Sequence, residues 1–356
     1  MIHSILSDDL PRSRVLALVL LGVLICLALA PFLFPGVRTV DTAARICVFI
    51  VLVASYDLLL GYGGIVSFAH TMFFGIGAYG VALASTHMGR GFDAIAVGAA
   101  SGAVIAAALA LVIGLFSLRV RAIFFAMITL AVASAVAVLV SQLSGLTGGE
   151  DGLTFKTPRE LGPAFKFGKE IFDGKLLGVK LNGKLLAYYF VFVGALLLFL
   201  FMLRVVNSPF GRVLQAIREN DFRAESIGYR VVKYRVAATC LSAAIAALAG
   251  SLYAVWLRYV GPDTTLSMEI MIDILLMVVI GGMGTMYGAI LGATLFVLAQ
   301  NYLQNLMGAA SELVEGIPIL PELLSADRWL LWLGVLFILS VYFFPTGIVG
   351  RLRRQN

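Results

Sequence analysis

The sequence is poor in charge. Lys, Arg, Asp and Glu together make up 13% of its 356 residues, against roughly a quarter in an ordinary soluble domain. With 61% of the residues hydrophobic, that shortage excludes a water-soluble globule, since one soluble core does not hide so much apolar surface. Cysteine is scarce as well. Cys26, Cys47 and Cys240 are odd in number, lack CxxC spacing and lie within apolar runs, so neither a disulfide framework nor a thiolate metal site is implied. The histidines His3, His70 and His87 are scattered and form no HExxH, which leaves metal-assisted or nucleophilic catalysis without a residue set. A P-loop is also missing: the Gly-Lys pairs at 168–169, 174–175 and 183–184 are followed by Glu or Leu, never Ser or Thr. The chain is therefore expected to be no enzyme and to draw any ATP-derived work from elsewhere.

What the sequence has is oil in blocks. Apolar runs of about 17–25 residues, the length that crosses a hydrocarbon layer, fall near 15–34, 43–60, 65–86, 93–117, 122–143, 185–206, 235–257, 268–281, 285–303 and 329–344. They predict an all-α polytopic membrane protein with about ten crossings in one transmembrane domain spanning 1–356. The pair at 268–303 is ambiguous, because Gly281, Gly282 and Gly284 also suit a broken or re-entrant helix. The first run follows Arg12 and Arg14 and contains Ala28-Leu29-Ala30, as a signal peptide would; its length and Pro31 favour an uncleaved helix.

The net charge of +6 reads as topology rather than nucleic-acid binding. With the N-terminus inside, inner segments hold a run of arginines at 12, 14, 119, 121, 204, 212, 218, 223, 230, 235, 351, 353 and 354, with Lys233, while the short outer segments hold Arg38, Arg45, Arg90, Arg258 and Arg328. The long loop at 144–184 carries further basic residues, but long loops translocate largely regardless of charge. Both termini are thus expected in the cytoplasm of a bacterial cell, with the chain in its plasma membrane. Within the outer loop, LGVKLNGKL at 177–185 alternates around Asn182-Gly183 and predicts a small type I′ hairpin. The outer segment 304–327, with Glu312, Glu315, Glu322, Asp327, Pro318 and Pro321, predicts a short acidic amphipathic helix and a proline-limited turn.

The inner segment 207–235, NSPFGRVLQAIRENDFRAESIGYRVVKYR, carries the clearest signals. Ser208 and Pro209 open a helix, Asn220-Asp221 ends it and caps a second, and Gly228 terminates that one. Two short charged helices would form a rigid knob suited to a groove on a soluble partner; a solvated loop that only fixes topology is the plainer reading.

RENDFRAESIG at 218–228 resembles the coupling loop of ABC importer permeases, with Ala224-Glu225-Ser226 in place of the commoner small residues beside an acid. Together with YDLLLGYGGIVSFAH at 56–70 and IGGMGTMYG at 280–288, it makes the chain similar to LivM-type permeases of branched-chain amino acid ABC importers, over about 43–347. The resemblance implies import of leucine, isoleucine or valine, a LivH-like second permease, two ATPase subunits of LivG and LivF type that bind the ATP and magnesium, and an outer substrate-binding protein. It implies no cofactor in this chain. The candidate coupling residues are Arg218, Glu219, Asn220, Asp221, Arg223, Ala224, Glu225 and Gly228. Relatives that carry urea, short amides or other amino acids remain an alternative.

Glycines supply a second signal. Gly284, Gly288 and Gly292, like Gly98 and Gly102, are spaced by four and let helices approach closely, either for plain packing or for sliding during transport. Gly61, Gly63 and Gly64 predict a backbone break at the inner membrane edge. The ionisable residues near the bilayer, Asp57, His70, Glu269 and Asp273, are pathway candidates because charge is tolerated there mainly toward a cavity or partner. For Asp57 and His70 a hydrogen bond to broken backbone is the alternative; for Glu269 and Asp273, four apart, exposure to water. An ion-coupled secondary transporter also fits broken helices. A channel is weaker, since Leu59-Leu60 precedes Gly61-Tyr62-Gly63 where a potassium filter needs Thr-Val.

Overall fold

Hydrocarbon offers a spanning backbone no hydrogen-bond partners, so apolar runs of this length fold as helices whose N–H and C=O groups pair internally. The computed structural model describes residues 13–33, 36–117, 122–166, 175–176, 179–313, 325–343 and 347–354. Each of the ten expected runs carries a helix, although 65–69 of the third are non-helical: α1 (Arg14–Leu33), α2 (Val37–Asp57), α3 (His70–Met88), α4 (Phe92–Ser117), α5 (Ala122–Gln142), α6 (Gly183–Val206), α9 (Val231–Leu257), α10 (Met268–Gly281), α11 (Met286–Leu313) and α12 (Trp329–Phe343). Between α6 and α9 lie the short α7 (Pro209–Glu219) and α8 (Asp221–Ser226), and α13 (Gly347–Arg354) follows α12. The protein is a polytopic all-α membrane protein.

Among the described residues eight helical segments, not ten, are long and apolar enough to cross a membrane. The two that fall short are α3 and α12. Helix α3 carries His70, His87 and three glycines and is surrounded by other helices, so it need not be uniformly oily. Helix α12 has 15 residues.

Helix α2 is the axis, buried along almost its whole length and packed by α1, α6, α9, α10 and α11. The most extensive packing joins α3, α4 and α9, and glycines make it possible. A Cβ on Gly77 of α3 would collide with the Ala247 backbone of α9, one on Gly250 with the Phe74 carbonyl, and one on Gly98 or Gly102 of α4 with the backbone of α3. Such faces replace the hydrophobic drive that lipid removes. In α1, Pro31 deprives the Leu27 carbonyl of its usual i+4 donor; the Tyr188 hydroxyl of α6 donates to that carbonyl instead, and Tyr189 donates to Ala28 O at 2.9 Å.

Helices α10 and α11 form a tight antiparallel hairpin rather than one broken helix: Gly288 lies on the Gly281 backbone and Gly292 on that of Met277. Gly284 is not on this helix face. It sits in the connecting turn with φ +81°, a left-handed conformation that glycine adopts freely. Helix α11 also runs unbroken to Leu313, absorbing the first part of the expected separate surface helix at 304–327. The lone Gly308 there costs about 1 kcal/mol of propensity, too little to break it; 314–324 lie outside the described residues.

Among the described residues four short strands form two antiparallel pairs. β1 (Leu153–Thr154) pairs with β4 (Tyr259–Val260), and β2 (Lys175–Leu176) with β3 (Val179–Lys180). A small hairpin exists, but its strands pair Lys175 with Lys180 and Leu176 with Val179, ahead of Asn182-Gly183 rather than around it. Asn182 caps α6 instead, its side chain accepting from Leu185 N at 3.3 Å. An Asn followed by a helix-forming run satisfies an N-cap as well as a turn, and the adjacent apolar helix decides between them.

Candidate functional site

Three segments far apart in sequence meet at one end of α2. The helix widens into a π turn over Leu58–Tyr62, and Gly63 N–H closes it onto Leu58 O and Leu59 O at 3.1 Å. Gly64, with φ +66°, then turns the chain away. The loose backbone up to α3 is covered by protein: Phe68 N donates to Thr129 Oγ1 at 3.1 Å and Ala69 N to Ser67 Oγ at 3.3 Å. This satisfies the demand that non-helical backbone at membrane depth finds partners.

Asp57, 1% exposed, ties this break to the α10–α11 turn. Its carboxylate accepts from Gly284 N–H at 2.9 and 3.2 Å. From the third segment, Arg218 in the last turn of α7 donates to the Gly61 carbonyl and interacts with the Asp57 charge. The fit is close. A Cβ on Gly61 would strike the Asp57 carboxylate and Gly284 N, one on Gly64 would stand 3.2 Å from Arg218 Cγ, and one on Gly284 would stand 2.7 Å from an Arg218 guanidinium nitrogen. Asp57, Gly61, Gly64, Gly284 and Arg218 thus occupy one junction, with Gly63 in the same turn. Gly281 and Gly282 flank it: Gly282 N donates to Val278 O at 3.0 Å to end α10, and Gly347 at the start of α13 packs on Gly282.

Outside the junction, α7 and α8 form the expected double helix. Helix α7 buries Val213, Leu214 and Ile217; Val213 and Ile217 form a small core with Ala224, Val231 and Tyr234. Pro209 opens α7, but Ser208 does not cap it; its hydroxyl turns back to Val205 O at 2.6 Å. Asn220 does cap α8, accepting from Arg223 N at 2.9 Å, and Asp221 reaches Arg235 at 3.6 Å. Gly228 N–H donates to Glu225 O and Tyr229 N–H to Ala224 O, the paired bonds of a Schellman ending, with Gly228 at φ +97°. Glu219, Arg223 and Glu225 are exposed. So is Phe222, at 78%, a residue sequence reasoning passed over; the one aromatic of α8, set among charged residues, was the available signal.

The other candidates lie elsewhere. His70, fully buried at the start of α3, meets Ser242 Oγ of α9 at 3.0 Å, and that hydroxyl also donates to Ser55 O. Tyr56 and Phe73 pack edge-on against its ring. Its partner is thus a side chain rather than the nearby loose backbone. Glu269 and Asp273 share α10 but differ: Glu269 is exposed, whereas Asp273 is part-buried, accepts from Gln300 Nε2 at 3.3 Å and interacts with Arg45. Among the described residues no three of His, Cys, Asp and Glu gather in a metal-binding group.

The family described as "Branched-chain amino acid transport system / permease component" matches residues 38–341. A relative in Salmonella typhimurium, a high-affinity branched-chain amino acid transport system permease protein LivM, is 27% identical over 95% of this chain and 76% of its own length. The Escherichia coli protein of the same name is 28% identical over 89% and 71%. A probable LivM permease of Methanocaldococcus jannaschii is 32% identical over 47% of each chain. No solved structure matches.

Proposed function

The chain belongs to the branched-chain amino acid transport permease family, and from that premise we propose that it is the LivM-type subunit of an ABC importer. In this reading it carries leucine, isoleucine or valine into the cytoplasm beside a LivH-like permease, with an outer substrate-binding protein delivering the cargo. LivG- and LivF-like ATPases dock on the α7–α8 double helix, which then faces the cytoplasm together with both termini of a bacterial inner-membrane protein.

One observation carries the reading: the exposed double helix is fastened to buried helix breaks by Arg218, whose guanidinium meets the Gly61 carbonyl. A push on α8, with exposed Phe222 and Glu225 as its contact points, reaches α2 and the α10–α11 turn without passing through lipid. The permease supplies an element with two packings and the nucleotide state of its partners biases it.

The test is uptake of radiolabelled leucine by the reconstituted full complex, with ATP hydrolysis followed in parallel. Arg218→Ala should leave assembly and ATP hydrolysis in place and lower the leucine moved per ATP about tenfold, the effect of losing one charge-assisted hydrogen bond from the transmission step. Unchanged stoichiometry, or leucine uptake by this chain alone driven by an ion gradient, would overturn the reading.

A further inference from the structure

The end of α2 remote from Arg218 opens on a cavity of about 770 Å³ with no part in the junction. Arg45 stands 12 residues from Asp57, about 18 Å along the helix. Arg38, Asp41 and Arg45 reach the cavity from α2, Lys184 from the start of α6, and Tyr253 and Trp256 from the last turns of α9. With Arg258, the walls hold four basic side chains against one acidic.

Three of the four cations are already engaged. Lys184 pairs with Asp41 at 3.0 Å, Arg38 donates to Asn301 O at 3.0 Å and Arg258 to Leu161 O at 2.8 Å. Arg45 is different. Its guanidinium lies 5.2 Å from the centre of the Phe49 ring, and its buried Nε, like that of Arg258, has no hydrogen-bond partner. Asp273 is near enough to feel its charge, yet among the described residues Arg45 makes no ion pair. A buried donor left without a partner costs free energy that a ligand acceptor would recover. The planar fork of a guanidinium matches a carboxylate in two parallel hydrogen bonds. The rings of Tyr253 and Trp256 line the wall, the Trp256 face being shared with the Lys184 ammonium at 5.4 Å, and the volume falls within the range of small-molecule sites, about 300–1,000 Å³.

We propose that this cavity is an entry subsite in which Arg45 takes the carboxylate of a small aliphatic amino acid while Tyr253 and Trp256 line its side chain. The inference rests on the amino-acid transport reading above. A protein carboxylate from a docking partner would use the same fork, but the aromatic walls and the volume of the cavity favour a free solute.

The test is direct binding of radiolabelled leucine to the assembled transporter in nanodiscs, without the outer binding protein. Wild type should bind leucine, with 4-methylpentanoate competing and leucinol failing to compete. Arg45→Gln should weaken binding about tenfold, and Arg45→Lys, which keeps the charge but not the fork, should fall between. Equal leucine binding by wild type and Arg45→Gln, or leucinol competing as well as leucine, overturns the subsite. So does loss of binding-protein affinity in Arg45→Gln with leucine binding intact, because the carboxylate would then belong to that protein. If the wild-type complex with its binding protein transports leucine but binds none without it, the subsite fails alone. If the wild-type complex transports no leucine at all, the functional reading fails first and the subsite with it.

Discussion

Removing the Asp57 carboxylate asks whether the break in α2 is held from across the bundle. Asp57→Ala leaves the Gly284 N–H, which donates to both carboxylate oxygens, facing a site where the wild-type side chain is 1% exposed. An orphaned buried donor costs about 1–3 kcal/mol, and the void left by truncation adds on the order of 1 kcal/mol. The contribution of Arg218 is smaller. That residue is exposed and makes no direct ion pair with Asp57, so water screens the interaction to well under about 1 kcal/mol. The expected loss is about 2–4 kcal/mol for Asp57→Ala. Asp57→Asn keeps the shape and one acceptor and should lose about 1 kcal/mol. Thermal unfolding of detergent-purified protein should rank wild type above Asp57→Asn above Asp57→Ala, and a double-mutant cycle with Arg218→Ala should give a coupling below about 1 kcal/mol. An Asp57→Ala protein as stable as wild type would refute the hydrogen-bond reasoning; a large coupling to Arg218 would shift the weight from the Gly284 bond to charge.

Three further outcomes follow from the packing. Tyr188→Phe should destabilise the protein by about 1–2 kcal/mol, because the Leu27 carbonyl loses both its helical donor to Pro31 and its substitute hydroxyl; unfolding in the same assay reads this, and no change would mean that another donor serves that carbonyl. Gly77→Val should cost at least about 3 kcal/mol or abolish monodisperse protein, since its Cβ meets the Ala247 backbone and a backbone yields less than a side chain. Gly308→Ala, where nothing lies within 4 Å of a new Cβ, should stabilise by up to about 1 kcal/mol. Equal behaviour of the two variants would sink the close-packing account.

What sequence made legible was what local chemistry decides. Apolar length marked every main helix, because lipid leaves a backbone no other way to satisfy itself. The Asn220 cap and the Gly228 ending were readable for the same reason, each being settled within a few residues. Where two local solutions compete, the pattern alone failed: Asn182 serves a turn or a cap equally well, and only the stability of α6 chooses. Ser208 had the right chemistry for a cap and spends its hydroxyl on Val205 O instead.

The junction lies beyond local reasoning altogether. The Arg218 bond to Gly61 spans 157 residues and the Asp57 bond to Gly284 spans 227. From sequence, Gly61, Gly63 and Gly64 predict a backbone break and Arg218 belongs to a coupling-loop motif, but nothing local joins the one to the other. Each supplies the reason for the other: the stem of Arg218 fills the space a side chain at residue 64 would need, and its guanidinium crowds residue 284 in the same way. Bulk at either glycine should therefore displace Arg218 as surely as deleting the arginine removes it. The helix breaks and the charged double helix are one structural constraint written in three places along the chain.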